Sequence, residues 1–350
     1  MSIKEIGSEF WYEEPDIKTQ QNYLFGKEFT FLLSGRTAID LIIEDIKIER
    51  EIRSIYFPSY YCNSMIQPFI SRGIDVVFYQ VSISAEGTFE FEIKDNNCDA
   101  ILIINYFGFF NEDIRKLIDY ANEKNQVIIE DATHSFFSDN PNPSFYHYKF
   151  ASLRKWLPIM DGAVAMKSNG SFNIKIKEHT NNSFLEERVR AFSLKRDYII
   201  NGLGEKSQFL KSYSNANSIL EKDYSEYQMS TESFRILTHY DLNTMCIKRK
   251  GNGSFLIDQL SKIPEITIIK RGLHIHETPL FIPIFLENTV RNQLKEYLIK
   301  QHIYCPAHWP ISSLQNNSMI YQKELSIVCD QRYGISEMEK INYHIQKFLS

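Results

Sequence analysis

Between about Arg53 and Met166, short runs of β-branched or aromatic residues alternate with stretches whose apolar positions recur at helical spacing. The runs SIYF, DVVFYQV, AILIINYF, QVIIED, HYKFAS and GAVAMK predict strands, since such side chains fit a pleated, packed surface. Continuous apolar runs such as AILII suit strands covered on both faces. Between AILIINYF and QVIIED, the stretch NEDIRKLIDYANEKN sets Ile114, Leu117, Ile118 and Ala121 on one helical face. It predicts the crossover helix of a β-α-β unit. Nearer the start, FTFLLSGRTAIDLIIEDI predicts a short strand, a turn, and a helix with Ala38, Leu41, Ile42 and Ile46 inward. From about Ser168 to Leu237 the chain is polar with helical patterns such as FLEERVRAFSLKRDYIINGL, which predicts a helical excursion. From about Asp241, a long helix pattern leads into ITIIK, TPLFIPIFL and a helix at NTVRNQLKEYLIKQH. The expected organisation is an α/β unit over residues 1–240, a mainly parallel sheet covered by helices, followed by a smaller α+β unit over residues 241–350.

Composition supports a folded chain. Its 350 residues are 43% hydrophobic, 24% charged and 14% aromatic, too apolar for a disordered protein. Thirty-nine basic against 44 acidic residues give a net charge of -5 with no long single-sign run, so nucleic acid and anionic membrane are not expected partners. A small molecule is. Five scattered cysteines without Cys-x-x-Cys spacing predict free thiols in a reducing compartment. The opening MSIKEIGSEFWYEEP lacks the apolar core of a signal peptide, and no apolar run reaches membrane-spanning length. A cytoplasmic protein is expected, which leaves the Asn-x-Ser sites at Asn181 and Asn252 without meaning.

The stretch from Val127 to Gly162 carries most of the chemistry. Asp131 falls where a buried strand ends, and carboxyl ends of strands in doubly wound sheets form the ligand crevice. An ordinary helix cap would also use Asp there. Lys155 follows another strand, between apolar Leu153, Trp156, Leu157 and Pro158. Lost solvation in such surroundings would free its amine as a nucleophile toward carbonyls, whereas a surface lysine with a snorkelled stem is the plain alternative. Ser152, three residues earlier, is a candidate holder of phosphate oxygens. So is the turn Ser34-Gly35-Arg36-Thr37, which offers free backbone N–H groups, hydroxyls and a guanidinium at a helix start. It lacks the Gly-Lys-Ser/Thr ending of a Walker loop.

These three elements, in this order, resemble the DegT/DnrJ/StrS sugar aminotransferases, a family of fold type I pyridoxal-phosphate enzymes. The family's Ser-Gly-Thr-x-Ala-Leu turn is similar to Ser34-Gly35-Arg36-Thr37-Ala38-Ile39, its Glu-Asp-Ala-x-His/Gln to Glu130-Asp131-Ala132-Thr133-His134, and its Ser-x-x-Lys to Ser152-Leu153-Arg154-Lys155. FPSYYCNSM and YCPAHWPI extend the resemblance over most of the chain. It implies that Lys155 forms a Schiff base with pyridoxal 5'-phosphate and shuttles protons, that Asp131 pairs with the pyridinium nitrogen, and that His134 lies beside the ring hydroxyl. Ser34, Gly35, Arg36 and Ser152 would hold the phosphate, Tyr60 or Tyr61 would stack on the ring, and His308 would touch substrate. Three departures stand out: Asp161-Gly162-Ala163 where the family often has Glu-Gly-Gly, no evident Asn-x-Arg segment between Asn181 and Ser230, and Cys62 at the usual stacking position.

No metal site is expected. His274-Ile275-His276-Glu277 would align both imidazoles on one strand face, but no third ligand is recognisable. Cys305 and His308 lack any sign of an oxyanion hole and suit a wall of the substrate cleft. The expected activity is amino transfer from an amino acid such as glutamate to a keto-sugar, nucleotide-linked, in surface polysaccharide or secondary-metabolite sugar synthesis. Two alternatives stay open: a pyridoxal-phosphate enzyme acting on a non-sugar carbonyl or by elimination, and an inactive regulatory or assembly protein of this fold. A homodimer is expected from the resemblance and from Phe10-Trp11-Tyr12, whose rings suit an interface.

Overall fold

The computed structural model describes residues 5–12, 29–139, 145–174, 176, 179–269, 272–310 and 319–350. Lys270 of ITIIK and Ile311 of YCPAHWPI lie outside the described residues. The strands are β1 (Ile6–Gly7), β2 (Thr30–Leu32), β3 (Ser54–Pro58), β4 (Asp75–Ile83), β5 (Phe89–Glu92), β6 (Ala100–Ile104), β7 (Val127–Asp131), β8 (Tyr148–Ser152), β9 (Ala163–Lys167), β10 (Thr267–Ile268), β11 (Phe281–Phe285), β12 (Ile303–Tyr304) and β13 (Glu324–Val328). The helices are α1 (Gly35–Glu49), α2 (Asn63–Ile70), α3 (Ile114–Glu123), α4 (Asn182–Arg196), α5 (Lys206–Lys222), α6 (Thr231–His239), α7 (Leu242–Leu260), α8 (Asn288–Lys300), α9 (Ile320–Lys323) and α10 (Ile335–Leu349).

Eight strands form one sheet in the order β2-β9-β8-β7-β6-β3-β4-β5. Its centre, from β8 to β4, is parallel, while β9 runs antiparallel to β8 and β2, and β5 returns antiparallel on β4. The apolar strand β6, and β7, which is apolar up to Ile129 and ends in Glu130 and Asp131, are buried along their whole length, as expected of strands covered on both faces. Helix α3 buries the expected Ile114, Leu117, Ile118 and Ala121. Ser34 caps α1, accepting the Thr37 N–H at 3.3 Å.

A three-stranded antiparallel sheet, β10-β11-β13, follows later in the chain. Helix α7 joins two apolar clusters: Leu242 and Met245 pack with Trp156 and Leu157, and Leu256, Ile257 and Leu260 pack with β11 and β13. β1 pairs in parallel with β12, tying the N-terminal segment to this later part of the chain.

Four expectations need correction. The run AILIINYF is strand only as far as Ile104, because the chain then turns at Tyr106–Gly108 with Phe107 at φ 60°. His274-Ile275-His276-Glu277 forms a turn closed by its own backbone, not a strand: the buried Glu277 carboxylate accepts the N–H groups of Phe110 and His274, both at 2.7 Å. Phe10 and Trp11 are buried within their own chain, so their rings are not held free for a partner. Phe10 packs with Met160, Ala191, Phe192, Phe209 and Tyr213, and the Arg332 guanidinium lies over both rings. Lys155 is exposed, since the turn Leu153–Lys155 points Leu153, Trp156 and Leu157 into the core and the lysine away from it.

Candidate active site

The carboxyl ends of β7 and β8, the start of α1, the N-terminal segment and the loop after β12 surround a cavity of about 680 Å³. Ser34, Gly35, Arg36, Asp131, His134, Ser152, Lys155 and His308 all line it. Residues scattered over most of the sequence are thus brought to one space. Tyr60 and Tyr61 are not: both are fully buried and neither lines the cavity. Tyr61 stacks on Phe78, and Tyr60 packs against Tyr106 and Trp309 while its hydroxyl donates to the His308 carbonyl at 2.9 Å. The expected aromatic stack therefore does not come from either tyrosine. Cys62 and Trp309 do face the cavity.

Asp131 is the last residue of β7, and its carboxylate accepts the Thr133 N–H at 2.8 Å. Burial pushes this carboxyl up to about 6 against the lowering effect of the Thr133 hydrogen bonds, and the Glu130 carboxylate adds to the rise. No cation acts on it, so this buried acid has hydrogen bonds but no charged partner within the chain. Thr133 also ties the neighbouring strand in place, its hydroxyl accepting the Ser152 N–H at 3.1 Å and its carbonyl accepting the Trp156 indole N–H at 2.7 Å. His134 Nδ1 accepts the Phe107 N–H at 3.1 Å. The proton of the neutral ring is therefore on Nε2. Burial, with the neighbouring His308 and Lys155 acting in the same direction, holds His134 well below the usual histidine range, so it stays neutral and donates from Nε2.

At the start of α1 and in the turn Leu153–Lys155, two guanidinium groups are incompletely satisfied. Arg36 Nε and Nη1 and Arg154 Nε are buried without hydrogen-bond partners. Burial depresses Arg36, and burial together with Arg188 brings Arg154 down to about 10. Buried donors of this kind call for an acceptor, and an anion beside a helix N-terminus is the natural one. Close by, Glu9 lines the cavity and pairs with Arg188 at 3.4 Å. Lys155 and Arg154 contribute to the positive field at its carboxylate.

Thr133, Arg154 and Glu9 were not assigned roles from sequence. Arg154 had a visible signal, a second cation inside the apolar stretch SLRKWLPIM. Glu9 had none, because the long-range contacts that bring it to the cavity, the pairing of β1 with β12 among them, join distant parts of the chain. Asp161, by contrast, takes no part in the site. It is fully buried and anchors the start of α6, accepting the Ser230 N–H at 2.7 Å and the Ser230 hydroxyl at 2.6 Å. Gly162 beside it has φ +136°, and a Cβ there would fall 2.6 Å from Met229 Cε.

The strand order and the cavity at the carboxyl ends of the strands define a fold type I aminotransferase-like architecture. Among solved structures, Helicobacter pylori PseC, an aminotransferase involved in the biosynthesis of pseudoaminic acid, is similar with a TM-score of 0.67 at 16% identity, covering 99% of each chain. The aminotransferase TlmJ from Streptoalloteichus hindustanus is similar with a TM-score of 0.63 at 13% identity, over 92% of this chain and 86% of that one. GDP-4-keto-6-deoxymannose-3-dehydratase with a trapped PLP-glutamate geminal diamine is similar with a TM-score of 0.62 at 16% identity, over 93% and 88%. At these identities the likeness is one of fold. No protein-family model matches the sequence, and no curated protein matches it significantly. No helix among the described residues is long and apolar enough to cross a membrane.

Proposed function

We propose that this chain is a pyridoxal-phosphate-dependent aminotransferase that moves an amino group from an amino acid such as glutamate to a keto-sugar, nucleotide-linked. The observation that carries the reading is the meeting, in one cavity, of three groups: the Lys155 amine, the buried Asp131 carboxyl with no cation acting on it, and the unpartnered buried nitrogens of Arg36 and Arg154. An aldehyde, a basic ring nitrogen and a phosphate on one molecule would complete all three. Two aminotransferases of similar fold support amino transfer, and the dehydratase of similar fold, with its trapped PLP-glutamate adduct, supports the cofactor.

When bound, the cofactor supplies an aldehyde that carries the amino group and a ring that withdraws electrons from the carbon losing its proton. Asp131 would hold the proton on the ring nitrogen. His134, a donor at Nε2, would hydrogen-bond the ring oxygen. Arg36, Arg154, Ser152 and the N–H groups at the start of α1 would bind the phosphate, with Arg154 added here to the set expected from sequence. Lys155 would bond to the aldehyde carbon and, once displaced, move the proton between substrate and cofactor carbons. The reading includes a large cofactor-binding unit up to about residue 240, a smaller unit beyond it, a homodimer and a cytoplasmic location; light scattering tests the dimer.

Incubating the pyridoxal-phosphate-loaded protein with glutamate, without acceptor, tests the activity. Stoichiometric release of 2-oxoglutarate with conversion of the cofactor to its amine form is expected. No release, with cofactor bound and a panel of other amino acids equally inert, would contradict amino transfer.

A further inference from the structure

Behind His308 lies a polar chain that the proposed reaction does not use. Glu324 and Ser326, two residues apart on β13 and so on one face of the strand, are both fully buried. The Glu324 carboxylate accepts the Ser326 hydroxyl and, at 2.5 Å, the His308 backbone N–H. Ser326 Oγ in turn lies 2.8 Å from His308 Nδ1. A hydroxyl has one proton and a carboxylate can only accept. The Ser326 proton is committed to Glu324, so Oγ meets Nδ1 with a lone pair and Nδ1 must carry a proton. In the neutral ring this leaves Nε2 bare. The His308 ring lines the cavity 5.9 Å from the ring of His134, which has the opposite tautomer. The two imidazoles thus form an acceptor and a donor side by side.

We propose that Ser326 and Glu324 are positioning residues that hold His308 with its Nε2 lone pair toward the cavity. A ligand hydroxyl in the cavity would then donate to His308 Nε2, as a hydroxylated carbonyl compound can, while the His134 Nε2–H stays on the cofactor ring oxygen. The ligand class rests on the aminotransferase reading of the cavity, whereas the tautomer rests on the hydrogen-bond chain alone.

Nitrogen NMR of the full chain, labelled in histidine and loaded with pyridoxal phosphate, reads the tautomer directly. At a pH where the ring is neutral, His308 Nδ1 is expected at the protonated position and Nε2 at the bare position. Ser326→Ala should move both nitrogens toward averaged positions, and Ser326→Thr, which keeps the hydroxyl, should restore the wild-type pattern. If the alanine variant does not fold, the wild-type spectrum decides. Dihydroxyacetone should shift His308 Nε2 saturably, and acetone should not. A protonated Nε2 in the wild-type protein would overturn the proposal, and equal or absent responses to the two ketones would overturn the ligand assignment. Failure of cofactor attachment at Lys155 would instead sink the aminotransferase reading and leave these nitrogen positions unchanged.

Discussion

The carboxyl of Asp131 sits where negative charge is costly, and that cost is measurable without any activity assay. Burial raises it to about 6 in the folded chain, above the value of about 3.9 expected when unfolded. The folded state therefore binds this proton more tightly, so the penalty is absent below about pH 4 and grows as pH rises through 6. Two pH units correspond to roughly 2–3 kcal/mol. Asp131→Asn should stabilise the cofactor-free protein by about that much at about pH 8, with the gain vanishing near pH 4; urea denaturation at the two pH values checks it. The same change should cost turnover, since the ring nitrogen loses its charged partner. A stability gain without loss of turnover would break the link between Asp131 and the chemistry. Sequence position alone pointed to Asp131 because a strand end is a definite place. It did not distinguish Tyr60 and Tyr61, since a ring after a strand packs as well into Phe57 and Phe78 as into a cleft.

At the scale of elements, the start of α1 and the turn Leu153–Lys155 converge, and both bring a guanidinium. A hydrogen bond from a charged donor to phosphate is worth about 1.5–3 kcal/mol, so Arg36→Ala and Arg154→Ala should each weaken retention of pyridoxal phosphate roughly ten- to a hundredfold. Binding of pyridoxal, which lacks the phosphate, should not change; equilibrium dialysis with the two compounds separates the cases. A backbone prediction belongs to the next turn. Gly162 has φ +136° with Met229 Cε and Ile159 Cδ1 close to where a Cβ would fall. Gly162→Ala should destabilise by about 1–3 kcal/mol, read as a lower thermal midpoint. Most elements that build the cavity were legible, because continuous runs such as AILII and the four-residue face of α3 admit few other structures. β5 (FEFE) escaped notice: it is a short edge strand whose residues alternate in charge and gain their order from pairing with β4. β13 was not anticipated either, and with it the Glu324–Ser326 chain behind His308.

Across the whole molecule, the N-terminal segment closes the site. Arg332 donates to the carbonyls of Ser8 and Glu9 at 3.0 and 3.2 Å, Lys195 donates to Ser8 Oγ at 2.7 Å, and Phe10 fills a cluster between α4 and α5. Phe10→Ala should cost about 3–5 kcal/mol of stability, and cofactor should dissociate faster because Gly7, Ser8 and Glu9 form one wall of the cavity. Thermal unfolding with and without cofactor measures both effects. This docking was hidden from sequence reasoning because it depends on a two-residue pairing between Ile6–Gly7 and Ile303–Tyr304, nearly the full chain apart.

The central claim is that Lys155 is the residue to which the cofactor bonds. Borohydride reduction of the pyridoxal-phosphate-loaded protein, followed by proteolysis and mass spectrometry, tests it most directly. The account predicts one phosphopyridoxyl group on Lys155 and none after Lys155→Ala, with phosphate-dependent binding retained in that variant. Labelling of a different lysine, or unchanged glutamate turnover in Lys155→Ala, would contradict it.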